Sequence, residues 1–109
     1  MEVRRDGAAV LVAPTGEVDL ATEGALRDAL DRVGRCEVLV LDLRGISFMD
    51  SAGIAVLVDE HLRAEREGFR LRVISGPEQV QRVLEMTGLA RRLDFTEPGE
   101  AAEGQATHS

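Results

Sequence analysis

Three side chains in this sequence are of types that do chemistry: Ser51, within "SFMDSAGIAVL" (Ser47 to Leu57); Asp42, at the end of an apolar run; and the lone cysteine, Cys36. A serine nucleophile needs a base within hydrogen-bond reach. The two histidines are His61 and His108. His61 lies ten positions after Ser51 on what reads as one helix. That places it roughly 15 Å away at 1.5 Å per residue. His108 sits in the carboxyl-terminal tail. The Gly-x-Ser-x-Gly elbow of serine hydrolases is also missing. No catalytic residue is therefore assigned, and the chain reads as a non-enzyme. Asp42 invites comparison with the phosphoacceptor of receiver domains, but the chain has no lysine to complete such a site. Cys36 is expected to be a small apolar filler rather than a reactive thiol. One cysteine, one helical histidine and scattered acids supply no metal-ligand cluster. No Gly-x-Gly-x-x-Gly follows a strand, so no dinucleotide site is expected, and no cofactor.

A plainer role for "Asp50-Ser51" is helix capping, since Asp and Ser are both favoured at N-caps. Asp50 is the better cap here, with the N–H groups of Gly53 and Ile54 as its expected partners. The helix that comes next is unusually apolar at its start. Ile54, Leu57, Val58 and Leu62 form one stripe at helical spacing, and Val56 falls roughly opposite. Either the first turns are buried all round, or an apolar side chain stays exposed beside Ser51, where it could serve as a docking spot.

The elements that must hold this turn can be read in order. "AAVLVA" (8–13) is a short apolar run, preceded by the turn residues "RDG" and a strand-like stretch around Val3, which together suggest an N-terminal hairpin. "PTGEVD" breaks the run, and helical spacing begins at Leu20, with Ala25, Leu26, Ala29, Leu30 and Val33 on one stripe. "EVLVLDL" (37–43) reads as a central strand buried on both faces. "RGISFMD" reads as a loop, and a helix then spans Ser51 to Glu67, with Gly68 as its stop. "FRLRVI" (69–74) alternates as a strand does. Pro77 opens a further helix that Gly88 ends, and a short strand is expected around Arg92–Phe95. The order β-β-α-β-α-β-α-β implies an α/β domain with a mixed sheet.

Composition narrows the partners. The 109-residue chain carries a formal net charge of −7 and only three aromatic residues, all Phe. Acidic surfaces repel phosphate backbones and anionic lipid, so nucleic acid and membrane are not expected as partners. Basic protein surfaces are. A single cysteine suits a reducing compartment, no apolar run is long enough for a membrane span, and "MEVRRDG" does not read as a signal peptide; a cytoplasmic location is expected. Residues 97–109, "EPGEAAEGQATHS", have no large apolar side chain and read as an acidic, disordered tail behind a domain spanning 1–96.

Three stretches carry a resemblance to a known family: "GEVDLAT" (Gly16 to Thr22), "VLDLRGISFMDSAGIAVL" (Val40 to Leu57) and "GLARRLDF" (Gly88 to Phe95). Together they resemble bacterial anti-sigma factor antagonists, which are single STAS domains. The resemblance implies a STAS fold: a mixed β-sheet, helices packed mainly on one side and an N-terminal β-hairpin. It implies that Ser51 is phosphorylated by an anti-sigma factor that is also a serine kinase of GHKL type. A PPM-type serine phosphatase would remove the phosphate. Ala52, where the family often has Ser or Thr, leaves Ser51 as the one acceptor. The resemblance maps the docking face onto Glu17, Asp19, Asp50, Gly53 and Ile54. Unmodified, such a protein binds the anti-sigma factor and frees the sigma factor; phosphorylated, it does not. It would be a monomer or weak dimer. The alternative within the family is a STAS scaffold, or a subunit of a stress-signalling or lipid-transport complex.

Overall fold

The computed structural model of the chain describes residues 1–99; the rest of the acidic tail read from the sequence lies outside the described residues. β1 (Glu2–Asp6) and β2 (Ala9–Ala13) form the expected antiparallel hairpin. β3 (Gly16–Val18) precedes α1 (Glu23–Asp31), which leads to β4 (Val38–Asp42). β5 (Ile46–Met49) runs directly into α2 (Ser51–Glu67), followed by β6 (Arg70–Ile74) and α3 (Glu78–Met86). A 3-10 turn (Leu89–Arg91) and β7 (Asp94–Thr96) complete the order.

Five strands make one sheet in the order β1-β2-β4-β6-β7. All its pairs are parallel except β1–β2, so the sheet is mixed, as expected. β4 is buried at all five positions: its Val and Leu side chains alternate between two apolar clusters, and Asp42 ends it. Leu39 and Leu41 point into the main core, with Leu26 and Leu30 of α1, Val56 and Leu57 of α2, and Val80 and Leu84 of α3. Val38 and Val40 join Ile74, Ala9 and Leu11 in a second cluster on the opposite face, which contains no helix residue. Fully burying a Leu or Val is worth about 1.5–3 kcal/mol, so the helix-bearing face carries most of the stability.

Three sequence expectations change. "PTGEVD" and "RGISFMD", read as a break and a loop, each contain a short strand. β3 and β5 pair in parallel as a separate two-stranded ribbon, with a register irregularity between Gly16 and Glu17. Strands this short, with Ile46 and Met49 both buried three positions apart, show no period-two pattern. The first helix begins at Glu23 rather than Leu20, because the chain from Asp19 to Thr22 makes a tight turn of its own. The last strand starts at Asp94 because Leu89–Arg91 continue as helical turn.

α2 occupies the residues expected, and Gly68 ends it in the left-handed region (φ 83°) that suits a residue without a Cβ. Its faces differ from the predicted stripe. Gly53, Val56, Leu57, Glu60 and Ala64 form the buried face. Val56 is 1% exposed, whereas Val58 and Leu62 are 37% and 48% exposed. Of the predicted stripe only Leu57 is a core residue, and Ile54 is half-buried at its edge. Glu60 lies within the inner face and is paired with Arg63, whose guanidinium stacks 4.9 Å above the Phe69 ring. Arg27 links α1 to α2 by bonding both Glu23 (3.0 Å) and Asp59 (2.8 Å).

Asp42 is the other buried carboxylate. Its Oδ1 accepts from the Arg44 backbone N–H (3.0 Å) and Nε (3.1 Å), and its Oδ2 from Nη2 (2.9 Å). Burial alone pushes this carboxyl up, but the Arg44 hydrogen bonds and charge outweigh it and hold the group below its ordinary value. A folded-state value below the unfolded one means stability that is present above the ordinary carboxylate range and is lost as pH falls through the folded value. Asp42→Asn is expected to cost about 1–2 kcal/mol at neutral pH. The difference from the parent should shrink in acid, as measured by urea unfolding across pH.

Candidate functional site

Ser51 is the first residue of α2 and is exposed. Asp50 is the N-cap, with extended backbone, and its Oδ1 accepts from the N–H of Ala52 at 2.8 Å. The cap is the one expected, but its bond goes to Ala52 rather than to Gly53 or Ile54. The Ile54 N–H is instead taken by the Asp50 backbone carbonyl (3.0 Å). The cap is itself tethered, because the Asp50 N–H donates to the Val18 carbonyl of β3 (3.2 Å). Ser51 is thus held at the junction of ribbon and helix.

Gly53 explains how close that junction is. A Cβ at this position would lie 2.5 Å from Met49 Cγ and 3.1 Å from both Val18 Cγ1 and the Val18 carbonyl oxygen. Gly53 is buried, so its contribution to a docking face is indirect: it lets the helix start seat against the ribbon.

The acids predicted around Ser51 are brought to the same end of the molecule. β3–β5 pairing sets Glu17 opposite Phe48 and Val18 opposite Met49, one residue before the Asp50 cap. Glu17 is exposed. Asp19 comes directly after Val18, and its Oδ1 accepts from the N–H groups of Ala21 (3.0 Å) and Thr22 (3.1 Å). The Thr22 hydroxyl oxygen accepts from the Asp19 N–H (3.0 Å) and lies 2.8 Å from the Glu17 carbonyl, to which it can donate. "GEVDLAT" is therefore a self-locked turn, and Asp19 has a structural task besides its charge. Ile54, half-buried, lies one turn into α2.

Two exposed apolar residues at this end were not singled out by sequence. Phe48, on β5, is 48% exposed, and Leu20, in the locked turn, is 78% exposed. Phe48 was hidden because its segment read as a loop, and Leu20 because it read as the start of a helix. α3 supports the same strand, with Gln79 Nε2 donating to the Ser47 carbonyl (3.0 Å).

Other candidates lie elsewhere. His61 Nε2 lies 3.7 Å from the Glu65 carboxylate further along α2. Cys36 is half-buried, and burial pushes its thiol up against the pull of Arg63 and Arg5. Among the described residues, no group of three or more His, Cys, Asp or Glu side chains is arranged to hold a metal ion, and no helix is long and apolar enough to cross a membrane.

A mixed sheet with helices on one face, and a serine opening a helix capped by Asp50 directly after a short strand, are the features of the STAS class of domain. The chain belongs to the STAS domain family, which it matches over residues 1–102. It is 30% identical over 90 residues to the anti-sigma-F factor antagonist RsfA of Mycobacterium tuberculosis, covering 79% of this chain and 70% of that protein. It is 29% identical over 92 residues to the anti-sigma F factor antagonist of Paenibacillus polymyxa, covering 82% and 79% respectively. The crystal structure of an anti-sigma factor antagonist from Mycobacterium paratuberculosis superposes with a TM-score of 0.82 at 24% identity, covering 99% of this chain and 92% of that one.

The junction at Gly53 makes a direct test. Gly53→Ala is expected to destabilise the fold by about 1–3 kcal/mol, because Met49 and β3 must give way. Gly24→Ala, where a Cβ meets nothing within 4 Å, should be neutral or slightly stabilising. Thermal melts of the two variants beside the parent measure the contrast.

Proposed function

We propose that this chain is an anti-sigma factor antagonist whose binding is switched off by phosphorylation at Ser51. The observation that carries the reading is the exposed Ser51 hydroxyl on the first residue of a capped helix, at the end of the molecule that also presents Glu17, Asp19, Asp50, Phe48 and Leu20. The names of the relatives support the antagonist role.

In this reading the unmodified face meets an anti-sigma factor that is a GHKL-type serine kinase carrying its own nucleotide. Acids on this side match a basic patch on that partner, which speeds encounter and sets orientation. Phe48 and Leu20 supply the apolar anchors that give lifetime to the complex. Engaging the anti-sigma factor frees the sigma factor.

The kinase transfers the γ-phosphoryl group of ATP to the Ser51 oxygen, breaking the β–γ phosphoanhydride bond and releasing ADP and the hydroxyl proton. Ala52 offers no competing hydroxyl. The product carries about −1.5 to −2 extra charge. Free N–H groups and the positive end of the α2 dipole accommodate the phosphate, so the domain stays folded. The partner instead meets added bulk and a denser field of negative charge beside Asp50, Glu17 and Asp19. A loss of roughly 3 kcal/mol would weaken binding over a hundredfold. A PPM-type phosphatase resets the switch by hydrolysis. The chain is a substrate and a binding module here, with no catalytic group of its own.

Incubation with a cognate kinase and ATP should add one phosphate by intact-mass measurement, and Ser51→Ala should gain none. Continued phosphorylation of that variant would overturn the assignment. Ser51→Asp should keep the parent circular dichroism spectrum yet bind the anti-sigma factor at least roughly tenfold more weakly in calorimetry. Leu20→Ser and Phe48→Ser should also each weaken binding by about tenfold, with little change in melting temperature. Unchanged affinity in both would remove the apolar anchors from the interface.

A further inference from the structure

The two edges of the five-stranded sheet are finished differently. β7 ends one edge with three residues, and Pro98 follows two positions later. A short strand running into a proline is a poor template for another strand. β1 ends the other edge with five consecutive residues, all exposed. It contains no proline, and its pairing with β2 has no register shift. Among the described residues, no element pairs with its outer side. Asp6 and Ala9 close the hairpin across the two-residue turn Gly7-Ala8. Residues that flank such a turn hydrogen-bond to each other, and bonded and unbonded pairs alternate from there along an antiparallel ladder. Asp6, Arg4 and Glu2 therefore spend their backbone groups on β2. The N–H and carbonyl groups of Val3 and Arg5 point outward from the sheet.

The side chains of this edge complement one another. Val3 is registered with Val12 and Arg5 with Val10, both in the main core, so Val3 and Arg5 lie on the helix-bearing side. Arg4, registered with Leu11, lies on the other side with Glu2 and Asp6. Arg5 is committed, its Nη2 donating to the Val33 carbonyl at 2.7 Å. Val3 is 53% exposed. Two β1 strands related by a two-fold axis through the sheet must pair residues that share a face. Centred on Arg4, such a pairing sets Arg4 against Arg4 and Glu2 against Asp6. Centred on Arg5, it sets Arg5 against Arg5 and Val3 against Gly7 of the turn. Centred on Val3, it sets Val3 against Val3, with Glu2 against Arg4 on both sides of the axis. Like charges directly opposite destabilise a strand pair, whereas opposite charges and β-branched pairs stabilise it. Only the register centred on Val3 avoids every like-charge pair, and it also brings the outward backbone groups of Val3 together.

We propose that β1 is an interaction edge for a second copy of this chain, the two β1 strands pairing antiparallel about Val3 so that the two sheets become one. Each Val3 N–H donates to the Val3 carbonyl of the other copy, and each Arg5 N–H donates to the Met1 carbonyl of the other copy. Glu2 of each copy faces Arg4 of the other. A strand pair of this length buries less than the roughly 1,200 Å² of a stable interface, so the association is reversible. β1 is antiparallel to β2, and the two β1 strands are antiparallel to each other, so the parallel strands of the two copies run in opposite directions. The ribbon strands β3 and β5 follow β2 and β4, which puts Ser51 at the carboxyl-terminal end of those strands. The two Ser51 side chains therefore lie at opposite ends of the pair and stay open, and the pairing is independent of the Ser51 reading.

Sedimentation velocity of the full chain over a concentration series tests this, with the weight-average mass expected to rise from that of one chain toward that of two. Val3→Pro removes an N–H that β2 does not use, and an edge strand tolerates proline where its N–H faces solvent. This variant should keep the parent melting temperature in dilute solution and associate at least about tenfold more weakly. Arg4→Glu, which sets like charges opposite, should also weaken association. Arg4→Glu combined with Glu2→Arg restores opposite charges in the same register at unchanged net charge, and should recover it. Ser51→Asp should leave it unchanged. In amide spectra over the same series, the Val3 and Arg5 signals should shift and exchange more slowly, while those of Val58 and Leu62 on the outer side of α2 stay fixed. A chain that remains monomeric at millimolar concentration would overturn the proposal. So would association that survives Val3→Pro or is not recovered by the charge exchange, and so would shifts at Val58 and Leu62 in place of Val3 and Arg5.

Discussion

The contact on which the rest depends is the seating of the first turn of α2 on the β3–β5 ribbon. Three features coincide there: a glycine with no room for a Cβ, the Asp50 N–H bonded to the Val18 carbonyl, and the Asp50 carboxylate bonded to the Ala52 N–H. The first removes a steric obstacle, the second fixes the cap to the ribbon, and the third satisfies one of the open N–H groups of the helix. Together they hold Ser51 in a defined place while leaving its side chain in solvent. An acceptor serine on a loose loop would be equally accessible, but a phosphate on it would not be aligned with a helix dipole or fixed relative to Glu17 and Phe48.

The same seating explains why acids can crowd this end without unfolding it. Each has a different task. Asp50 caps α2, Asp19 closes the turn before α1, and Glu17 is free on the ribbon. Two of the three are tied to backbone N–H groups. The negative field is thus built largely from groups that also hold the backbone. In the proposed switch, a phosphate added to such a fixed field would discriminate more sharply than one added among mobile side chains, because the tied acids cannot swing away.

Much of this was legible in the sequence, and the gaps have identifiable causes. The hairpin, the central strand, both ends of α2 and the Asp50 cap come from turn residues, an apolar run and a terminal glycine, all of them local signals. The inner face of α2 was not legible, because Glu60 interrupts it. A buried glutamate breaks the apolar pattern, and Ile54, Val58 and Leu62 offer a more regular stripe, of which Val58 and Leu62 are exposed and Ile54 sits at the edge of the core. Only the Arg63 partner and the Phe69 ring beneath it make Glu60 tolerable inside, and neither pairing is visible as a period. The β3–β5 ribbon was missed for the opposite reason. Its strands are too short to show any period, and their stability comes from pairing with each other across the intervening α1 and β4. Phe48 and Leu20 went unnoticed with it, since an exposed apolar side chain carries meaning only once its neighbours are known.

The two faces of the sheet also divide the labour of the chain. The helix-bearing face buries Leu, Val and Ile against three helices and leaves Ser51 at the α2 start exposed. The other face has no such cover, yet Val38 and Val40 are as deeply buried as the main core. Such burial on a helix-free face has to come from side chains and backbone lying across it. Arginine serves this well, because its long stem can cover apolar surface while the guanidinium reaches outward. This accounts for an acidic chain placing Arg4, Arg44, Arg70 and Arg72 around one apolar patch. The cost is that each guanidinium then needs an acid. Asp42 serves Arg44, Glu2 serves Arg4, and Asp94 is the register neighbour of Arg72 on β7.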